Sequence, residues 1–309
     1  MRSRALGLVL GFVADRVFGD PRRFHPVAGF GRVAASAEQR LYADNRLRGI
    51  AYSTLLVGST GLLGLVADSF SRRRPLVNTA LTAGATWAVL GGRSLGREAG
   101  AVHGFLQAGE IAAARQQLTH LVGRDTSGLD ESEVSRATIE SVAENTSDAV
   151  VAPLVAGAFG GIGGLLAYRA ANTLDAMVGH HTTRYENFGW ASARLDDVLN
   201  VPGARLSATL ATVLAPTIGG QSANAWRVWR RDAKHHPSPN AGPVEASFAG
   251  AMNVTLGGVN RYGEHLEDRH TLGDGPLATA KDIERSVQLA RNVGIAATVV
   301  GAVIASRKH

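Results

Sequence analysis

Three acidic residues, Glu140, Glu144 and Asp148, recur at four-residue intervals, which puts them on one face of a helix. Asn145 and Thr146 stand among them, and a long apolar run follows. Like charges at this spacing oppose helix formation by roughly 0.2–0.5 kcal/mol per pair, so the stripe calls for a cation. Beyond the apolar run, Arg169, Asn172 and Asp175 follow at three-residue intervals, and Asp196 and Asp197 lie between Arg194 and Arg205. Ionisable groups close to membrane depth are read first as functional. Carboxylates with asparagine can hold Mg²⁺ through oxygen, while the metal and arginines neutralise phosphate. Phosphate chemistry is therefore the natural reading. The competing one is a solvated helix end with ordinary ion pairs.

Two further clusters have the same flavour. DRVFGDPRRFHP holds Asp15, Asp20 and His25 in a proline-punctuated turn, and the PSPNAG loop is flanked by His235, His236, Asn240 and Glu245. Adjacent histidines point apart and no third ligand has zinc spacing, here or at His180 and His181. The chain has no cysteine, which excludes a disulfide framework, a thiol nucleophile and Cys-ligated metals. No Walker loop, GxGxxG or GxSxG element occurs, so any nucleotide is held without a P-loop.

These residues need elements to position them. Of 309 residues, 45% are hydrophobic and 19% charged, which excludes a disordered chain. Uncharged runs cover 49–67, 75–92, 149–168, 206–226 and 292–306. Crossing the hydrocarbon core takes about 20 mostly apolar residues, and arginines at the run ends suit snorkelling anchors. The pattern predicts an all-α, polytopic helical membrane protein with four to five membrane segments in a single domain over 1–309. Basic residues flank the first segment on both sides, so the positive-inside rule gives no orientation. The apolar decamer 5–14 reads as an N-terminal helix in or on the membrane. Periodicity predicts a helical pair over 97–121 broken near Gly109, and a helix over 131–148 capped by Asp130. Residues 178–200 read as a polar connector and 235–242 as a loop. The stretch 246–260 reads as re-entrant or close-packed. No alternating stretch is long enough for a strand. The formal charge, 32 − 26 = +6, is spread at segment ends and suits anionic headgroups rather than nucleic acid.

The same motifs carry a resemblance. DRVFGDPRRFHP, SVAENTSDAVVAP, YRAANTLDAMVG, FGWASARLDDVLNVPGARL, PSPNAG with Glu245, and LGG followed by Tyr262-Gly263 occur in an order that resembles the CobD/CbiB family, the adenosylcobinamide-phosphate synthases of cobalamin biosynthesis. The resemblance implies a multi-pass enzyme of the cytoplasmic membrane. It would join adenosylcobyric acid, the corrinoid substrate, to (R)-1-amino-2-propanol O-phosphate or aminopropanol by an amide bond, with ATP consumed. Amide formation needs an activated carboxylate, hence Mg²⁺ and cations at the phosphoryl group. Residue type then gives the roles. Glu140, Glu144, Asp148 and Asp175 are expected metal ligands, and Arg169, Asn172, Arg194, Arg205, Asn145 and Asn240 are expected to bind phosphate or corrinoid side chains. Asp196, Asp197 or His25 is expected to take the amine's proton. A transporter and a non-enzymatic membrane sensor are the alternatives. Pyridoxal phosphate is not expected, since Lys234, Lys281 and Lys308 lie in no suitable motif.

One conflict is internal. A straight helix over 149–168 would hold Asp148 and Arg169 about 30 Å apart, too far to share a site. The run contains GAFGGIGG, residues 157–164, whose glycines permit either a break or only close helix packing.

Overall fold

A computed structural model describes residues 2–20, 25–180, 182–262 and 265–307. Expectations that fall on residues 21–24, His181, Gly263 or Lys308 lie outside the described residues. The helices are α1 (Arg2–Phe18), α2 (Pro26–Leu41), α3 (Arg46–Ser71), α4 (Pro75–Val89), α5 (Gly92–Gln107), α6 (Ile111–Leu118), α7 (Glu131–Thr146), α8 (Ala152–Val178), α9 (Trp190–Leu214), α10 (Ser222–Asp232), α11 (Ala241–Met252) and α12 (Ala280–Arg307). A π-turn (Ser147–Val151) lies between α7 and α8, and strands β1 (Leu256–Tyr262) and β2 (His265–Leu272) form a hairpin. The chain divides into two compact units, residues 1–91, 148–203 and 298–309 in one and 92–147 and 204–297 in the other.

Local chemistry explains the boundaries. Asp130 and Glu133 form a reciprocal capping box at the start of α7, satisfying donors the helix leaves open. Asn45 accepts from the Leu47 N–H to open α3, and prolines stand at the first turns of α2 and α4, where a missing N–H costs nothing. Gly109, at φ 75°, separates α5 from α6 as the sequence predicts.

The protein is a helical polytopic membrane protein. The stretches Arg46–Ser71, Glu131–Val178, Trp190–Ile218 and Ala280–Arg307 are long and apolar enough to cross a membrane. Three sequence expectations change. The segment 75–92 gives α4, only 15 residues, about 22 Å and short of the hydrocarbon core. The segment 206–226 is displaced, because a left-handed Gly219 (φ 76°) stops the helical path and α10 starts afresh at Ser222. The helix instead begins at Trp190, inside what reads as a connector.

The first unit is glued by small residues. A Cβ on Gly7 would fall 2.5 Å from Thr82 Cβ, and one on Gly11 2.4 Å from Thr86 Cβ. Four-residue glycine spacing thus brings α1 against α4, as close helix packing in lipid requires. Gly64 of α3 meets the backbone of Gly163 in the same way.

The decisive feature is a break in α8. Gly161 has φ 63° and ψ −146°, a conformation open essentially to glycine alone. The two limbs fold back on each other, since a Cβ on Gly164 would meet the Ala156 carbonyl oxygen and one on Gly157 the Leu165 side chain. Asp68 of α3 holds the tip by accepting the Ile162 N–H at 2.9 Å, an anion at the N-terminus of the second limb. The run over 149–168 is therefore a helical hairpin, and the 30 Å conflict disappears.

In the second unit every residue of α11 is buried, and α11 packs on α7, α10 and the hairpin. The stretch 246–260 is close-packed, with Gly250 of α11 against Ala225 of α10, but it is helical only as far as the left-handed Asn253, after which β1 follows. The strands escape sequence reading for a physical reason. Most of β2 is charged or imidazole, and Gly257 and Gly258, both at positive φ, shift the register where alternation would show.

Candidate functional site

In the first unit the hairpin brings Asp148 and Tyr168 together. The Tyr168 hydroxyl lies 2.9 Å from the Asp148 carbonyl oxygen and 2.6 Å from Asn200 Oδ1. Asn200 Nδ2 donates to Asp196 Oδ2 at 2.8 Å, and Asn172 Nδ2 donates to Asp196 Oδ1 at 3.3 Å. Arg169 Nη1 in turn donates to Asn172 Oδ1 at 3.3 Å. One hydrogen-bonded set thus joins residues from the ENTSD, YRAANTLD and RLDDVLN motifs.

Its electrostatics are uneven. Asp196, 8% exposed, is held by two neutral amides, and among the described residues it has no cation within ion-pair distance. Arg169 has one amide partner, its Nε is buried with no acceptor, and it pairs with no carboxylate among the described residues. Its side chain lines a cavity of about 110 Å³ with otherwise mostly apolar walls, including Pro26, Phe30, Val89 and Leu166. The carboxylates of Asp20 and Asp148 act on Arg169 only from beyond ion-pair distance, and a charge without a direct counter-ion in an apolar setting is costly. Here both signs occur within one set.

Other expected residues fall elsewhere in this unit. His25 caps α2, accepting the Val27 N–H on Nδ1, and its Nε2 sits 3.7 Å from Asp20. Asp197 pairs with Arg194 at 3.8 Å in a largely exposed contact, so Arg194 does not join Arg169. Asp175, on the turn after Asn172, accepts the Gly179 N–H with its carbonyl at 2.7 Å.

The second unit holds the rest, in a different environment. Glu140 is buried, receives Arg124 Nη2 at 2.7 Å and the Gly257 N–H at 2.8 Å, and pairs with Arg136 at 3.2 Å. Glu245, with no exposed surface, lies 3.7 Å from His236 Nε2 and 3.8 Å from Arg269 Nη1. Burial, reinforced by Glu140 and Glu144, pushes the Glu245 carboxyl well above its ordinary range. Burial and Arg269 lower His236 to about 4. The Ser238 N–H donates to His236 Nδ1 at 3.0 Å, which leaves the neutral ring's proton on Nε2, facing Glu245. Asn145 donates to the Ser141 carbonyl, Arg205 donates to the Pro239 carbonyl, and Asn240 immediately precedes α11 without a side-chain capping bond.

The expected metal set is divided between the units, Glu140 and Glu144 in one and Asp148 and Asp175 in the other. Among the described residues no group of three His, Asp or Glu is placed to hold a metal ion. Mg²⁺ ordinarily takes one or two carboxylates and completes its shell with water and phosphate. Asp148 and Asp175 of the first unit match that number, whereas Glu140 has its oxygens engaged by guanidinium groups and an N–H.

Sequence reasoning missed Tyr168, Asn200, Asp68, Arg124, Arg136 and Arg269. Asn200 stands four residues after Asp196 and Arg136 four before Glu140, a same-face signal. Asp68, Arg124 and Arg269 arrive from distant segments, and no local pattern announces them.

The chain belongs to the CobD/CbiB family: the family described as CobD/Cbib protein matches residues 8–290. It is 48% identical over 308 residues to the cobalamin biosynthesis protein CobD of Mycobacterium tuberculosis, covering 100% of this chain and 98% of the relative. Identity to the protein of the same name from Chromobacterium violaceum is 42% over 296 residues, covering 93% and 92%. For that of Rhodobacter capsulatus it is 38% over 294 residues, covering 91% and 89%. No solved structure matches the chain.

Proposed function

We propose that this CobD/CbiB-family protein acts in cobalamin biosynthesis at the cytoplasmic membrane, forming the amide bond between adenosylcobyric acid and (R)-1-amino-2-propanol O-phosphate or the free amino alcohol, with ATP and Mg²⁺. The observation that carries the reading is the hydrogen-bonded set from Asp148 to Arg169, which gathers three family-like motifs around a carboxylate and a guanidinium that have no ion-pair partner among the described residues.

The residues divide the work. Arg169 holds phosphate oxygens, with five donors in a planar fork. Asp196 takes a proton from the substrate ammonium, so that the amine lone pair can attack the carbonyl carbon of the propionyl phosphate made with ATP; the C–O bond to phosphate breaks and inorganic phosphate leaves, its oxygens held by Arg169. Asn172 and Asn200 fix the Asp196 carboxylate with one amide on each oxygen. Tyr168 ties Asn200 to the Asp148 backbone and so locks the two limbs of the hairpin together. Asp148 and Asp175 are the carboxylates that would hold Mg²⁺, which supplies charge neutralisation to the phosphoryl group when bound.

Membranes carrying the protein, given adenosylcobyric acid, aminopropanol phosphate, Mg²⁺ and ATP, are expected to yield the amide by mass spectrometry. Asp175→Asn is expected to abolish it with membrane insertion intact. Well-folded protein that forms no amide overturns the reading. The break at Gly161 also suits transporters with discontinuous helices. Vesicles that accumulate corrinoid without forming product would favour transport.

A further inference from the structure

Two helices of the second unit share an end. Thr217, in the turn that closes the α9 stretch, accepts Gln288 Nε2 on its carbonyl at 3.2 Å and Asn292 Nδ2 on its hydroxyl at 2.8 Å. Asn292 is where the uncharged run of α12 begins, and Ile218 is where the apolar stretch after α9 stops. On one side of this contact Val213 and Ile295 are exposed apolar residues. The Thr217–Asn292 contact therefore marks a boundary between hydrocarbon and the polar interface.

Helix α10 begins directly past that boundary. From Ile218 to Ser222 the chain reaches at most about 14 Å when fully extended, and it reaches less here because the Gly219 and Gly220 N–H groups turn back onto Pro216 and Ala215. The inner face of α10 is fixed: Ala225, Val228 and Asp232 are buried, and Gly250 of α11 lies so close that an added Cβ would fall 2.7 Å from Ala225 Cα. The outer face carries Trp226, 50% exposed, with Arg227, Arg230 and Arg231 also exposed. Trp226 stands edge-on to Trp229 at 5.3 Å, and the Arg230 guanidinium sits 5.6 Å from the Trp226 ring centre. Asp274 receives Arg227 and Arg231, whereas Arg230 has no carboxylate partner among the described residues. Arg227, Arg230, Arg231 and Lys234 stand against Asp232 and Asp274, leaving this edge of the unit cationic.

An exposed tryptophan beside a spare guanidinium, tethered this closely to a membrane end, matches the chemistry of the lipid interface, where indole rings lodge at headgroup level and arginines meet phosphate. We propose that α10 is a surface helix that binds anionic phospholipid through Trp226 and Arg230. The ring seats at the acyl–headgroup boundary, and the guanidinium donates to phosphodiester oxygens.

The chain has no cysteine, so Trp226→Cys gives a single attachment point for an environment-sensitive dye. Val259→Cys, on the exposed hairpin, is the comparison site. In nanodiscs of phosphatidylcholine with phosphatidylglycerol, the dye at 226 is expected to be quenched by nitroxides at the headgroup and upper acyl chain and shielded from aqueous iodide. Arg230→Gln is expected to reduce the preference for phosphatidylglycerol about fivefold. Iodide quenching at 226 equal to that at 259, with no response to lipid nitroxide, overturns the proposal, as does disulfide-linked dimer through 226, which would make a second copy the occupant. A dye-free arm reads the intrinsic tryptophans in brominated lipid, where Trp226→Phe is expected to remove a share of the quenching seen in the natural chain. Unchanged quenching counts against the helix. None of these readouts depends on catalysis.

Discussion

The two units bury charge in opposite ways. In the second, Glu140 faces Arg124 and Arg136, and Glu245 faces His236 and Arg269, so these two carboxylates each have a cationic or titratable neighbour within 4 Å, and Arg269 and Arg124 also act on Glu144 from farther off. In the first, Asp196 and Arg169 are satisfied only by the amides of Asn172 and Asn200. A charge that the fold balances internally needs no ligand, whereas one left on neutral partners is balanced when a substrate or ion arrives. The contrast assigns scaffolding to the second cluster and chemistry to the first, although both lie in family-like motifs.

Asp196→Asn is the sharpest attack on that assignment. Asparagine keeps the shape and an acceptor for one amide but cannot take a proton. Amide formation is expected to fall about 10³-fold, with the thermal midpoint of the detergent-purified protein almost unmoved. A variant that retains turnover, or that unfolds instead, makes Asp196 another scaffold residue.

Glu140→Gln should do the reverse. It leaves the Arg124 guanidinium, whose side chain is 4% exposed, facing a neutral amide, and breaking a buried pair from one side costs about 3–5 kcal/mol. The expected outcome is a large drop in midpoint. Replacing both partners by methionine should recover much of it. If Glu140→Gln is stable but inactive, the two clusters have exchanged roles.

How much of this was legible in advance depends on the range of the interaction. The cap at Asp130, the break at Gly109 and the apolar runs over 49–67 and 292–306 are encoded within a few residues, and the structure agrees with them, whereas the runs over 75–92 and 206–226 are cut by helix ends. The glycine run left two readings open because glycine permits a break without compelling one. What compels it is Asp68, some ninety residues away, reaching the Ile162 N–H. Asp148 and Arg169 were recognisable by type, but the hydroxyl that links one limb to the other belongs to Tyr168, whose ring reads from sequence as ordinary apolar packing. The hairpin β1–β2 was invisible because its strands are polar and its register is set by glycines.

Gly161→Ala tests the device that assembles the first cluster. An alanine at φ 63°, ψ −146° is strained by about 1–3 kcal/mol, and its Cβ would press on Asp68 Oδ2. Turnover is expected to fall with the midpoint. Asp68→Ala should share the defect, while Asp68→Asn, which can still accept the Ile162 N–H, should be milder. Equal activity in all three would mean the break does not position the site.

The smallest effect probes whether the second cluster is as balanced as it looks. Glu245 has both oxygens buried without a hydrogen-bond donor, and its carboxyl is pushed up by burial. The folded protein therefore keeps a proton that the unfolded chain releases near its ordinary carboxylate pKa, so this residue's contribution to stability is present below about pH 4.5 and lost as pH rises through the folded value. His236, lowered to about 4, acts oppositely: its contribution is present above about pH 6.5 and lost as pH falls toward 4. Glu245→Gln mimics the protonated carboxyl and removes only the first effect. The variant's midpoint should exceed that of the parent at pH 8 by the equivalent of about 1–2 kcal/mol, match it near pH 4.5, and fall more steeply on acidification. His236→Gln should remove that acid slope. A lower midpoint for Glu245→Gln at pH 8 would instead mean that Glu245 is ionised against Arg269. The second unit would then be an ion-pair network throughout, and the contrast with Asp196 sharper still.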